Sequence, residues 1–317
     1  MSWNKDQDLR KLFCDPRIPD ADLTGSVMTK LHAGQTKKER FFVKYKVSLL
    51  VLAGMLLTAS TGFATVQYQS LKNKEGEIVY QVKPLKEDPH LKQKRSEEDI
   101  LRFRKIFELE DKLLKNGEAA LIYVVPHNSK HKAELRFKPA IFQNLSQLRG
   151  KISDKSITIP ESVNGDYKFK QAKVLFKSVL DVNPPSAKEE AAIAEKLRKQ
   201  AEESNKEYAI MPVEMSDQIF HISLEYKNGK DKIDVIIRSS GDNQPSMHYI
   251  DEKIDFKQQK IDVKGVEMLY TDYSSFHEIA WVYESPDKKQ KHTYKIQANT
   301  DKVSKEDMIK IAEAYLK

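Results

Sequence analysis

The spacing of apolar residues changes along the chain, and each change predicts a different kind of element. Residues 1–46 are polar with scattered apolar positions. Leu9, Leu12 and Phe13 sit at helical spacing and predict a short helix over about 6–13, which the prolines of CDPRIPD end. In ADLTGSVMTKLH, Leu23, Val27, Met28 and Leu31 fall at i, i+4, i+5 and i+8. They form one amphipathic face, too small to be stable alone, of the kind that folds against a partner. Val47–Val66 (VSLLVLAGMLLTASTGFATV) then runs twenty residues without a charge. At 1.5 Å per residue that is about 30 Å of helix, the thickness of a bilayer's hydrocarbon core.

Beyond it the pattern is that of a folded domain. Residues 67–96 read as a stalk with one strand, GEIVYQVKPL, closed by a charged run containing Pro84 and Pro89. Ser96 followed by EED predicts a helix start, with Ile100, Phe103, Phe107 and Leu114 on one face, Ile106 and Leu113 nearby, and Gly117 as the stop. AALIYVVP predicts a buried strand, and AELRFKPAIFQNLSQLRGKI a further strand or short helix. YKFKQAKVLFKSVL alternates as a strand, with Tyr167, Phe169, Ala172, Val174 and Phe176 facing inward. NPPS opens a helix over about 187–204, with a thin stripe of Ala191, Ile193, Ala194, Leu197 and Ala201. IFHISLEY and DKIDVIIRS flank an Asn-Gly, a strong hairpin signal. IDVKGVEMLYTD, HEIAWVYES and HTYKIQA predict three more strands. A closing helix over Ser304–Leu316 presents Met308, Ile311, Ala312 and Tyr315. The expected fold class is α+β: antiparallel sheets with flanking helices, preceded by one transmembrane helix. The expected organisation is a tail (1–46), a span (47–66), a stalk (67–96) and an outer domain (97–317) with a sub-boundary near 155.

Charge orients the span. Residues 27–46 carry six Lys/Arg and residues 67–86 carry four, which favours the N-terminus inside and the large domain outside the cytoplasm. A signal peptide's basic region is short, whereas 46 residues precede this apolar run, so an uncleaved signal anchor is expected. The net charge of +7 is spread thinly, and no dense basic stripe points to direct nucleic-acid binding. Cys14 is the one cysteine. It permits no intramolecular disulfide, and an outer domain without cysteine suggests a bacterial envelope.

No motif carries chemistry. His127 and His131 are spaced i, i+4, but HNSKH follows VVP and reads as a loop, so a metal site is not expected. His221, His248, His277 and His292 read as surface or core side chains. Asp251, Glu252 and Asp255 lie amid lysines, as on a solvated surface, and SGDNQP (240–245) reads as an exposed turn. Trp281 is flanked by apolar residues and reads as core. Gly-rich phosphate loops and nucleophile elbows are missing from the sequence. No catalytic, cofactor-binding or metal-ligating residue is expected, and a non-enzymatic role follows.

The stretch IPESVNGDYKFKQAKV, the hairpin, KGVEMLYTD, IAWVYE, YKIQA and the final SKEDMIKIAEAYL occur in a distinctive order. Over about residues 95–317 this resembles an uncharacterised extracytoplasmic domain that closes single-pass membrane proteins of spore-forming, Gram-positive bacteria. Some proteins of that kind resemble anti-sigma factors, whose cytoplasmic tail holds a sigma factor. IPDADLTGSVMTKLH is similar in arrangement to such tails. The zinc-type anti-sigma signature, a His followed by a Cys-x-x-Cys pair, is not present. The resemblance implies a membrane-anchored regulatory or sensor protein. Leu23, Val27, Met28 and Leu31 would be the face for a cytoplasmic protein partner such as a sigma factor. The alternative is an anchored, non-catalytic envelope domain that binds a lipid, a wall polymer or a protein, similar to lipoprotein-sorting carriers.

Overall fold

The long alternating runs of the C-terminal half pair with one another and make the main sheet. A computed structural model describes residues 68–92, 95–240, 244–285 and 290–316. Val47–Val66 and the tail face Leu23, Val27, Met28 and Leu31 lie outside the described residues. Among the described residues no helix is long and apolar enough to cross a membrane. Thr65–Lys317 forms one compact unit.

In chain order the strands are β1 (Ser70–Lys72), β2 (Ile78–Pro84), β3 (Ala119–Val124), β4 (Ala133–Phe137), β5 (Ala140–Phe142), β6 (Ser162–Val163), β7 (Tyr167–Ser178) and β8 (Tyr208–Val213). They continue with β9 (Met215–Asn228), β10 (Asp231–Ser240), β11 (Ser246–Ile250), β12 (Lys257–Val263), β13 (Val266–Asp272), β14 (Phe276–Glu284) and β15 (Lys291–Asn299). The helices are α1 (Glu97–Leu113), α2 (Leu145–Lys151), α3 (Val179–Val182), α4 (Ala187–Glu203) and α5 (Lys305–Glu313). The fold is mixed α+β with mostly antiparallel sheets, as the pattern predicts.

The main sheet has the order β12-β13-β14-β15-β10-β9-β7-β5, with β6 beside β7. Its centre is the expected hairpin, in which Asn228 pairs with Asp231 around Gly229. Gly229 has φ +59°, a conformation that costs a residue with a Cβ but not glycine. In β7 the predicted inner face changes parity between Phe169 and Ala172. A bulge makes this possible: Phe169 pairs with Tyr226 while Gln171 pairs with Glu225, leaving Lys170 extra. Helix α5 lies on one face of the sheet and buries Met308, Ile311 and Ala312, with Tyr315 just beyond it.

On the other face, Leu71, Val79, Tyr80 and Val82 from β1 and β2 pack with Ile250, Phe256, Leu269 and Ala280. The sequence stretch read as a stalk is therefore part of the domain. β2 pairs antiparallel with β1 and parallel with β11, a long-range pairing that no local pattern announces. A third sheet, β4-β3-β8, is covered by α4 on one side and α1 on the other. Because β8 returns to pair with β3, the third sheet draws on residues from both sides of position 155.

Helix α1 is rotated from its expected face. Ser96 caps it by accepting from the Asp99 N–H, as predicted, but Ile106, Leu109 and Leu114 are buried while Ile100 and Phe107 are half exposed. Polar contacts set the rotation. Arg102 is buried, donating to Glu134 at 2.6 Å and Asp99 at 3.1 Å, and the Arg136 guanidinium covers the Phe107 ring at 4.3 Å. A buried guanidinium with two carboxylates holds the helix more specifically than one more apolar residue would.

Candidate functional site: a cleft where two strands part

The site follows from where one ladder stops. β14 pairs with β15 along its whole length, from Phe276↔Asn299 to Glu284↔Lys291. With β13 it pairs only from Asp272↔His277 to Leu269↔Ala280. Past Ala280 the two strands separate. The gap is a cleft of about 480 Å³. One wall is the consecutive run Trp281 to Ser285, and the other is Lys264 to Glu267. Four consecutive strand residues, Trp281 to Glu284, can line one space only if that space abuts the strand's edge, since a single face would present every second residue.

The floor is aromatic. Trp281 stacks on Tyr294 with centroids 4.8 Å apart and an interplanar angle of 8°, and Tyr315 meets Tyr294 at 6.1 Å. These rings are fixed from below. Tyr315 donates to the Tyr226 hydroxyl at 2.9 Å, which donates to the Pro160 carbonyl at 2.9 Å. Burial pushes the Tyr226 phenol up to about 12, so it stays a donor at any ordinary pH. Leu71 and Val79 complete the apolar lining. Trp281 is core, as expected, and also lines the cleft.

The tip of the β1–β2 hairpin spans the mouth. The Lys72 N–H donates to Glu267 on the β13 side at 3.0 Å, and the Asn73 amide donates to Glu284 on the β14 side at 3.1 Å. Glu267 is also met by Lys260 at 3.0 Å. Lys264 pairs with Glu313 at 3.2 Å. The ammonium groups of Lys72 and Lys74 are exposed at the mouth, with no ion-pair partner among the described residues.

Two buried polar clusters centre on β14 and β15, one on each face of the main sheet. Between the sheets, the Glu278 carboxylate accepts from Gln297 at 2.7 Å and faces Lys295 at 3.5 Å. Lys295 lies 2.9 Å from His248 Nδ1, so that nitrogen accepts and the ring is neutral, with its proton on Nε2. Burial, then Lys295, holds the His248 pKa down at about 4. Burial also lowers that of Lys295, against the pull of Glu278. On the opposite face, His292 Nε2 lies 2.8 Å from Asp154 and 3.0 Å from Ser156, while Nδ1 lies 3.0 Å from Ser239. Burial lowers the His292 pKa, partly offset by Asp154. Both ring nitrogens are engaged within the fold, and the ring ties the loop after α2 to β10 and β15.

Sequence reading singled out none of these groupings, because each joins residues far apart in the chain. His127 and His131 lie in a turn with φ +58° and +49°, and His131 bonds to the Tyr123 hydroxyl at 3.0 Å. Among the described residues no group of three or more His, Cys, Asp or Glu is placed to hold a metal. Glu252 sits in a turn, 3.2 Å from Lys86. Comparison with known proteins finds no matching family, no matching curated protein and no matching solved structure.

Proposed function

We propose that the protein is a single-pass, membrane-anchored sensor. In this reading Val47–Val66 is the span, the N-terminal tail is cytoplasmic, and the outer domain takes a ligand in the cleft between β13 and β14. The face of Leu23, Val27, Met28 and Leu31 engages a cytoplasmic protein, of the sigma-factor class in the anti-sigma-like reading. The observation that carries the proposal is the hairpin across the cleft mouth. β1 begins only four residues after Val66, and its end holds both lips through Lys72–Glu267 and Asn73–Glu284. A ligand that seats in the cleft acts on the segment of chain that leads into the span. A cleft with a preformed aromatic floor and a few polar groups at its rim has the usual make-up of a binding site.

The test places a photo-crosslinking residue at Val27 of the full chain in bacterial cells. The expected result is one discrete adduct with a cytoplasmic protein, lost on Leu23→Asp with Leu31→Asp. Its yield should change when Asn73→Ala and Glu267→Gln loosen the hairpin tip. A tail that gives no discrete adduct contradicts the proposal. An adduct indifferent to the hairpin supports the alternative, an anchored binding domain that does not signal.

A further inference from the structure

We infer that the cleft ligand is an extended peptide with apolar side chains, added as a strand to the edge of β14. This rests on the reading of the cleft as a ligand site and names what fills it. In an antiparallel sheet, alternate residues of a strand turn their N–H and C=O to either side. Over Phe276–Ala280 both sides of β14 are paired; over Trp281–Glu284 only the β15 side is. Among the described residues no strand takes the other side. The vacant edge faces a cleft rather than open solvent, and the opposite wall is the start of β13, which would have continued the ladder.

An unpaired edge is a template for a further strand, and main-chain bonding with side-chain pockets at alternate positions is how such sites select peptides. The space here has both parts. The vacant edge supplies donors and acceptors. Trp281, Tyr294 and Tyr315 supply an apolar floor for side chains on one face of an added strand, and Leu71 and Val79 meet those on the other. The rim carries both signs of charge, with Lys72 and Lys74 beside Glu75 and Glu284, so it selects no one sign of ligand charge. A short extended peptide with apolar side chains matches the edge and the lining together.

The test uses the full chain in lipid nanodiscs and two random octapeptide libraries. One library has a normal backbone and the other is N-methylated at alternate residues, which keeps side chains and removes strand donors. Peptides enriched from the normal library should carry a short run of apolar residues. They should bind about tenfold tighter than their N-methylated counterparts, the scale of one or two backbone hydrogen bonds. They should also slow amide exchange at Trp281–Glu284. Equal enrichment from both libraries, binding without protection of those amides, or no enrichment each overturns strand addition. Dodecanoate is the control. If it occupies the cleft and no peptide does, the cleft remains a ligand site and only the peptide assignment falls.

Discussion

Replacing Lys295 by Met should destabilise the folded domain far more than loss of a surface lysine. The Glu278 carboxylate is 3% exposed and would keep only the Gln297 bond, while His248 Nδ1 would lose its donor. Removing one member of a buried ion pair costs about 3–5 kcal/mol, because the other charge is stranded. Lys295 retains some exposure, 16% of its side chain, so the lower end applies, about 3 kcal/mol. For a domain of this size each kcal/mol moves Tm by about 2–4 °C, giving a fall of about 6–12 °C. The partner substitution Glu278→Gln should relieve the loss. The double variant should lie within about 1 kcal/mol of the parent, since the stranded charge and its desolvation go together. Thermal unfolding of the four proteins by near-ultraviolet circular dichroism completes the cycle. A loss under about 1 kcal/mol for Lys295→Met, or a second substitution that adds to it, refutes the reasoning.

Acid should weaken the domain through His248. Its folded pKa is held at about 4, below the ordinary 6.5, so the unfolded chain binds the proton first. That contribution is complete above pH 6.5 and is lost as pH falls toward 4, about 3 kcal/mol in all. His248→Gln should flatten the urea midpoint between pH 7 and pH 4; an unchanged acid slope contradicts this. Asn128→Ala should cost about 2 kcal/mol. The buried Asn128 amide donates to the Val124 and Lys132 carbonyls and accepts from the Lys132 N–H, and all three backbone groups would be left wanting. A loss within 0.5 kcal/mol, read from urea titration, would show that water replaces it.

Local signals made much of the fold legible. Serines at 96, 186 and 304 each cap a helix by accepting from the N–H three residues on, and Asn228–Gly229 marks the central hairpin. The stripe of α5 is the one its spacing predicts, because a helix that packs by apolar burial alone obeys its periodicity. Helix α1 departs from its pattern where Arg102 is buried among carboxylates, a choice made by residues on β4. The cleft is not legible at all. VEMLYTD and HEIAWVYE both read as strands, and nothing in either says that their pairing stops at Ala280. The His292–Asp154 contact joins residues 138 apart, and β2 with β11 is a parallel pairing with no hairpin to fix it. Local spacing predicts elements, whereas sites formed by the ends of pairings depend on contacts that only the folded chain makes.

If Val47–Val66 separates a cytoplasmic tail from an outer cleft domain, as proposed, the chain itself offers a direct probe of it. Cys14 is the sole cysteine and lies in the tail. Lys230, in the exposed turn between β9 and β10, marks the domain. A membrane-impermeant maleimide applied to intact cells should spare Cys14 in the natural chain. It should label Lys230→Cys in a Cys14→Ser background, and permeabilised cells should label both. Labelling of Cys14 in intact cells, or protection of residue 230 until the membrane is opened, contradicts the account.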